Sequence, residues 1–299
     1  MKKSWCAISV AALVSLSLSP LTTLAAQAEN SITAYKSSTA PVLDGDCSEP
    51  AWKEIKPTTV MDRTANTPFF LKAIQADGQL FFCVQYADAA ENAFHSPWLW
   101  DKDLNKYLSG PHREDTFVFK WNMMDKPVNL SNFSEDLYTA DVWYWKANRT
   151  NPAGFADDKY HILSDQPGDG ATETVSASGK KRYLFRKSDS GKPAYKEVKK
   201  APAEFTTPLV NRFEAVAPEG SRSDVKARGV WSAGYWTIEF SRIFNTGHQD
   251  DVQFDPKSDK TYLFGVSIYS LYGQPLVMDQ PNRYGMGRIS DPLELVFEK

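Results

Sequence analysis

The chain has 299 residues and a formal net charge of −3, with Lys+Arg 34 against Asp+Glu 37, so no cationic excess is available to hold a phosphate backbone and nucleic acid is excluded as the main partner. Hydrophobic residues at 42% and aromatics at 13% fit a folded globular chain rather than a disordered one. Three cysteines without a Cys-x-x-Cys spacing exclude zinc ribbons, covalent c-type haem attachment and a disulfide-dense scaffold.

The chain opens with Lys2 and Lys3, an apolar run from Ala7 to Leu18, and the small residues Ala25, Ala26 and Ala28. This pattern predicts a signal peptide over residues 1–28, cleaved after Ala28. The serines and Pro20 interrupt the run short of a bilayer span of ~20 apolar residues. The expectation is therefore a periplasmic or secreted protein with no transmembrane anchor after cleavage. In that oxidising setting Cys47 and Cys83 are either paired or both free, because sequence gives no Cα separation.

Residues 29–299 read as a single domain. Ala40 to Trp52 holds an Asp-Gly turn and an aromatic anchor, Trp52. Phe69 to Ile74 and Leu80 to Tyr86 flank Ala76-Asp77-Gly78, which predicts a β-hairpin. In Thr116 to Asn122 the residues Phe117, Phe119 and Trp121 alternate with Thr116, Val118, Lys120 and Asn122. Asp141 to Ala147 places Trp143 and Trp145 on one strand face and Lys146 on the other. Trp236, Ile238 and Phe240 alternate in the same way, Tyr262 to Tyr269 is a long apolar strand, and Leu293 to Phe297 closes the chain. Helical periodicity is weak throughout, so the expected fold class is all-β, an antiparallel β-sandwich of immunoglobulin-like kind.

A polar excursion over about 163–228 interrupts this pattern. Tyr183-Leu184-Phe185 and Ala194-Tyr195 flank Ser188-Asp189-Ser190-Gly191, which predicts a projecting hairpin. Nine Lys/Arg between Lys180 and Lys200 form either a solvated face or a dock for an acidic partner.

Two resemblances rest on these residues. Val42-Leu43-Asp44-Gly45, Ala51-Trp52, Asp77-Gly78-Gln79-Leu80-Phe81-Phe82 and Glu114-Asp115-Thr116-Phe117 resemble the start of family-nine carbohydrate-binding modules and their DOMON-like relatives. Glu114 to Met123, then Asp141-Val142-Trp143-Tyr144-Trp145-Lys146-Ala147-x-Arg149, then Pro152-x-Gly154-x-x-Asp157-Asp158, with Trp236 to Arg242 and Arg288-Ile289-Ser290, resemble the haem-binding domain of ethylbenzene dehydrogenase γ subunits. That second resemblance covers most of the chain and implies one non-covalent haem b, electron transfer, and a molybdenum-enzyme or cytochrome redox partner.

The same resemblance implies a Met shortly before the Trp-x-Trp-Lys run and a Lys near the closing strand as iron ligands. Asn132 to Asp141 contains no Met, and Met286 stands close to where the Lys would be. The candidate iron ligands are then Met286 and His112, with His161 comparable; His95 and His248 lie in polar loops and carry less weight. Trp143 and Trp145 are candidates for the haem wall or plain core, Lys146 for a propionate or an acid partner, and Arg149 for a propionate or for Asp157 or Asp158. In the carbohydrate reading Trp98, Trp100 or Trp143 stacks on sugar rings. Asp101-x-Asp103-x-Asn105 begins like a calcium loop, but Lys106 and His112 stand where its Gly and Glu belong. No hydrolase, P-loop or dinucleotide motif is present, so no autonomous catalytic activity is expected.

Overall fold

The computed structural model describes residues 30–62, 67–269 and 292–299; the leader and Met286 lie outside the described residues. Strand β1 (Ser31–Lys36) is followed by a short helix, α1 (Pro50–Lys53), and by β2 (Thr58–Asp62), β3 (Thr67–Ala76), β4 (Gln79–Ala87), β5 (Trp98–Asp101) and β6 (Lys106–Ser109). Next come β7 (Thr116–Asn122), β8 (Tyr138–Lys146), β9 (Asp157–Ser164), β10 (Ala171–Val175), β11 (Lys181–Ser188), β12 (Tyr195–Glu197), β13 (Leu209–Val210) and β14 (Phe213–Ala215). The chain ends with β15 (Lys226–Ser232), β16 (Tyr235–Ile243), β17 (Tyr262–Tyr269) and β18 (Leu293–Phe297). No helix among the described residues is long and apolar enough to cross a membrane.

One hydrogen-bonded sheet runs β10-β11-β9-β8-β7-β17-β18-β1-β3-β4-β16-β15, with β2 added beside β3. Its ladders are antiparallel except the two made by β1, which lies parallel to β18 and to β3. The sheet folds over so that β3, β4 and β16 stack on β7 and β8, giving the expected β-sandwich. The cause is the alternation in the sequence. Phe117 is opposite Trp145 and Phe119 opposite Trp143 in the β7–β8 register, so one face of that pair is a continuous aromatic surface. It packs against the other layer through Phe82–Phe119 at 4.7 Å, Phe69–Phe117 at 5.8 Å and Trp145–Trp236 at 4.9 Å between ring centroids. All of these rings are fully buried.

The hairpin turns follow their residues. Asp77 and Gly78 both have positive φ, 48° and 75°, the geometry a two-residue turn needs and Gly adopts without strain. Trp52 seals a satellite core with Ile74, Phe81 and Cys83, and its indole donates to Glu239 Oε1 at 2.9 Å. In that core Cys47 and Cys83 form a disulfide, with Cα atoms 6.1 Å apart.

The excursion differs from the reading of a hairpin across Ser188 to Gly191. Residues 181–188 instead form β11, which pairs with β9 and with β10 and so extends the main sheet. The turn lies at 176–180, where Gly179 has φ 87°. Tyr195 pairs separately with Ala215 in a two-stranded β12–β14 ribbon. The reason is burial: Leu184 joins Val128, Leu130, Tyr138, Ala140 and Leu163 in a second core on the far face of β8 and β9. Much of the basic stretch is exposed and internally paired, Lys181 with Glu173, Lys192 with Glu219 and Lys196 with Glu214, which is the solvated-face reading.

Candidate functional site

Strand alternation divides the Trp-rich segment between two environments. Trp143 and Trp145 point into the sandwich core, whereas Lys146 points to the far face of the same strand. There Lys146 Nζ donates to Asp157 Oδ2. Asp157 is its near neighbour because Tyr144 and Asp157 are register partners across β8 and β9. Lys159 Nζ lies 3.4 Å from the same oxygen, Arg222 donates to Asp157 Oδ1, and the Tyr195 hydroxyl donates to Oδ2 at 3.3 Å.

Beside this group Arg149 Nε donates to Glu114 Oε1, and Glu114 Oε2 accepts the backbone N–H groups of Asn148 at 2.7 Å and Arg149 at 2.9 Å. The Arg149 guanidinium lies 5.6 Å from the ring centroids of both Tyr195 and Phe213, so the β12–β14 ribbon covers the cluster. His95 Nδ1 is 3.3 Å from Glu114 Oε1 without hydrogen-bonding geometry, and the His95 ring is 5.7 Å from Phe213. Burial sets the protonation here. It lowers the Lys146 ammonium to about 7 against the opposing pull of Asp157, and it lowers His95 to about 4, helped by Arg149. The Asp157 carboxyl goes the other way: burial raises it, but Lys146, Lys159 and Arg222 together hold it well below the usual range.

The sequence-predicted residues therefore do not converge. Lys146 and Arg149 come together, Lys146 taking Asp157 as its acid and Arg149 taking Glu114. His161 sits farther along β9, opposite Ala140 and Arg186, where burial with Lys120 and Arg186 pushes its proton affinity well down. His112 lies on the loop before β7 with Nδ1 packed against Gly110. Met286 is outside the described residues. Tyr195, Phe213 and Arg222, which no local motif marks, complete the cluster together with His95, a lesser candidate in the sequence, because β12, β14, the turn at 220–223 and the loop before β5 reach it only through the fold.

For the sugar reading, Trp143 is fully buried, Trp98 is covered by the Arg212 guanidinium at 4.0 Å from its ring centroid, and Trp100 packs against Tyr107 at 5.0 Å and Phe205 at 5.3 Å. Two shallow clefts on the β1–β3–β4 layer share Pro57 and Lys72 and carry none of the predicted ligands.

A haem needs donors on both faces of an apolar slot. The sandwich interior does not fit one, since Phe82, Phe117, Phe119, Trp121, Trp143 and Trp145 fill it ring to ring. The far face of β7, β8 and β9 fits in donor chemistry. It offers an amine partly neutral near pH 7, a neutral imidazole and a guanidinium, all sheltered beneath Tyr195 and Phe213.

The family model described as ethylbenzene dehydrogenase matches residues 49–270, and the chain belongs to that family. No curated protein matches. Among solved structures, a family 9 carbohydrate-binding module from Caldicellulosiruptor kristjanssonii in complex with cellotriose is 11% identical, with TM-score 0.40, 90% of this chain and 95% of that chain covered. A protein from Bacteroides uniformis described as carbohydrate-binding is 7% identical, with TM-score 0.41 and coverage of 90% and 99%. Likeness at this level bears on neither ligand nor function.

Proposed function

We propose that the protein is an exported haem b-binding electron-transfer protein, a subunit or partner of a molybdenum-containing or cytochrome-linked respiratory oxidoreductase. The observation that carries this reading is membership of the family over residues 49–270. A bound haem b would supply one-electron transfer. In this reading the chain's own contribution is the far-face cluster. Lys146 offers an amine whose proton is held weakly, as a metal ligand requires, and Arg149 offers a guanidinium fork for a propionate once Glu114 yields. Met286, His112 and His161 stand as further candidate ligands, and Trp143 and Trp145 act from the core as the rigid backing of β8.

The test is a visible spectrum of the mature protein, exported from a haem-sufficient host and recorded before and after dithionite. A Soret band with sharp reduced α and β bands is expected. Met286→Ala and Lys146→Ala then identify ligands by a changed spectrum, while Arg149→Ala weakens haem retention with the bands unchanged. A colourless protein that takes up no added haemin overturns the proposal and directs the next assay to glycan binding.

A further inference from the structure

The sequence places two acids side by side at Asp157-Asp158, and a strand sends adjacent side chains to opposite faces. Asp157 takes the far face and its three cations. Asp158 takes the inner face as the register partner of Trp143, and Asp141 is on that face two residues before Trp143. Asp251, from the loop between β16 and β17, completes the group, and Asp189, just after β11, lies beside it with its backbone N–H 3.5 Å from the Asp158 carbonyl oxygen. Ligand oxygens of Asp141, Asp158 and Asp251 all lie within 4.8 Å of one another.

Asp158 has 0% exposure, and neither of its carboxylate oxygens has a hydrogen-bond partner. Both oxygens of Asp189, at 4% exposure, also lack a hydrogen-bond partner, as do one oxygen of Asp141 and one of Asp251. Arg242 is the guanidinium in the group. Its Nη1 lies 2.6 Å from Asp141 Oδ2 and 3.6 Å from Asp251 Oδ1, and its Nη2 donates to the Val252 carbonyl. The adjacent Asp250 is already satisfied by Ser190 N–H and Ser221 Oγ, and it takes no part. Three buried carboxylates thus face one guanidinium, and carboxylates removed from water need compensation.

We propose that Asp141, Asp158 and Asp251 form a buried binding site for one calcium ion that clamps the sandwich. Oxygens up to 4.8 Å apart suit a shared cation with bonds of about 2.4 Å. A set made only of carboxylates, with no Cys or His among them, selects a hard cation over zinc or copper. Magnesium gives up its water reluctantly and demands octahedral geometry, so a site closed to solvent favours calcium. The ion would join β8 and β9 to the loop before β17. It would stabilise the folded chain by binding it and not the unfolded one.

Burial raises the proton affinity of these three carboxyls and of the neighbouring Asp189, so the rival state is a set of neutral acids with no metal. The experiment takes the full mature protein, strips it with EDTA, dialyses it against calcium, magnesium or manganese, and measures bound metal and Tm. One equivalent of calcium and a Tm that rises with calcium and falls on chelation are expected. Asp158→Asn and Asp251→Asn should each weaken calcium binding by about tenfold or more. Retention of magnesium or manganese in preference to calcium overturns the calcium assignment. No retained metal and a Tm indifferent to ions and chelator overturn the site, and Asp158→Asn would then raise the metal-free Tm. If either variant does not fold, metal content and Tm of the unaltered protein decide.

Discussion

Lys146 and Asp157 form an ion pair across β8 and β9 with side chains 3% and 1% exposed. Removing one member of such a pair strands the other in a medium that disfavours charge, which typically costs ~3–5 kcal/mol. Asp157 retains Arg222 and Lys159, so Lys146→Met should fall near the lower end, about 3 kcal/mol. Urea unfolding measures it. An unchanged midpoint would show that the pair adds nothing to stability.

His95 gives a pH dependence of defined sign. Its folded value is lowered to about 4 from 6.5, so between these values the unfolded chain takes up a proton that the folded chain refuses. Its contribution is fully present above pH 6.5 and is lost as pH falls towards 4. His95→Gln should therefore flatten the decline of the urea midpoint over that window. An equally steep decline in the variant would assign the effect to other groups.

The Cys47–Cys83 bridge closes a loop with a sequence separation of 36. Chain-entropy arguments assign such a loop about 3–4 kcal/mol. Cys83→Ala, or dithiothreitol on the unaltered protein, should lower Tm accordingly. Identical melting with and without reductant would mean the thiols are not joined.

Gly229 tests the closure of the edge strand over the core. A Cβ there would lie 2.5 Å from Trp145 Cζ2, and overpacking of this kind costs about 1–3 kcal/mol. Gly229→Ala should lower the unfolding midpoint and alter the near-ultraviolet circular dichroism of the Trp145–Trp236 pair. A variant as stable as the parent with the same signal would contradict the packing.

Local chemistry makes much of the fold legible in the sequence. The period-two aromatics of Phe117 to Trp121 and Trp143 to Trp145, the Asp77-Gly78 turn and the apolar run from Tyr262 each depend on near neighbours, and each forms the strand or turn expected. Alternation along β8 is also enough to separate Lys146 from the two tryptophans. The excursion departs from its local pattern because Leu184 is placed by what it buries against, Leu163 and Tyr138, and burial partners leave no mark in a short window. The Cys47–Cys83 pairing is illegible in the sequence for the same reason.

Adjacent acids such as Asp157 and Asp158 must part to opposite faces wherever they lie on a strand, and that much follows from residue order and the geometry of an extended backbone. What meets each acid is a matter of the assembled sandwich: Lys146 and Arg222 for Asp157, other carboxylates for Asp158, Arg149 for Glu114 and the Trp236 indole for Asp115. Those partners come from strands and loops distant along the chain. Their identity is set by sheet register and by how the two layers stack, quantities that depend on the whole molecule at once.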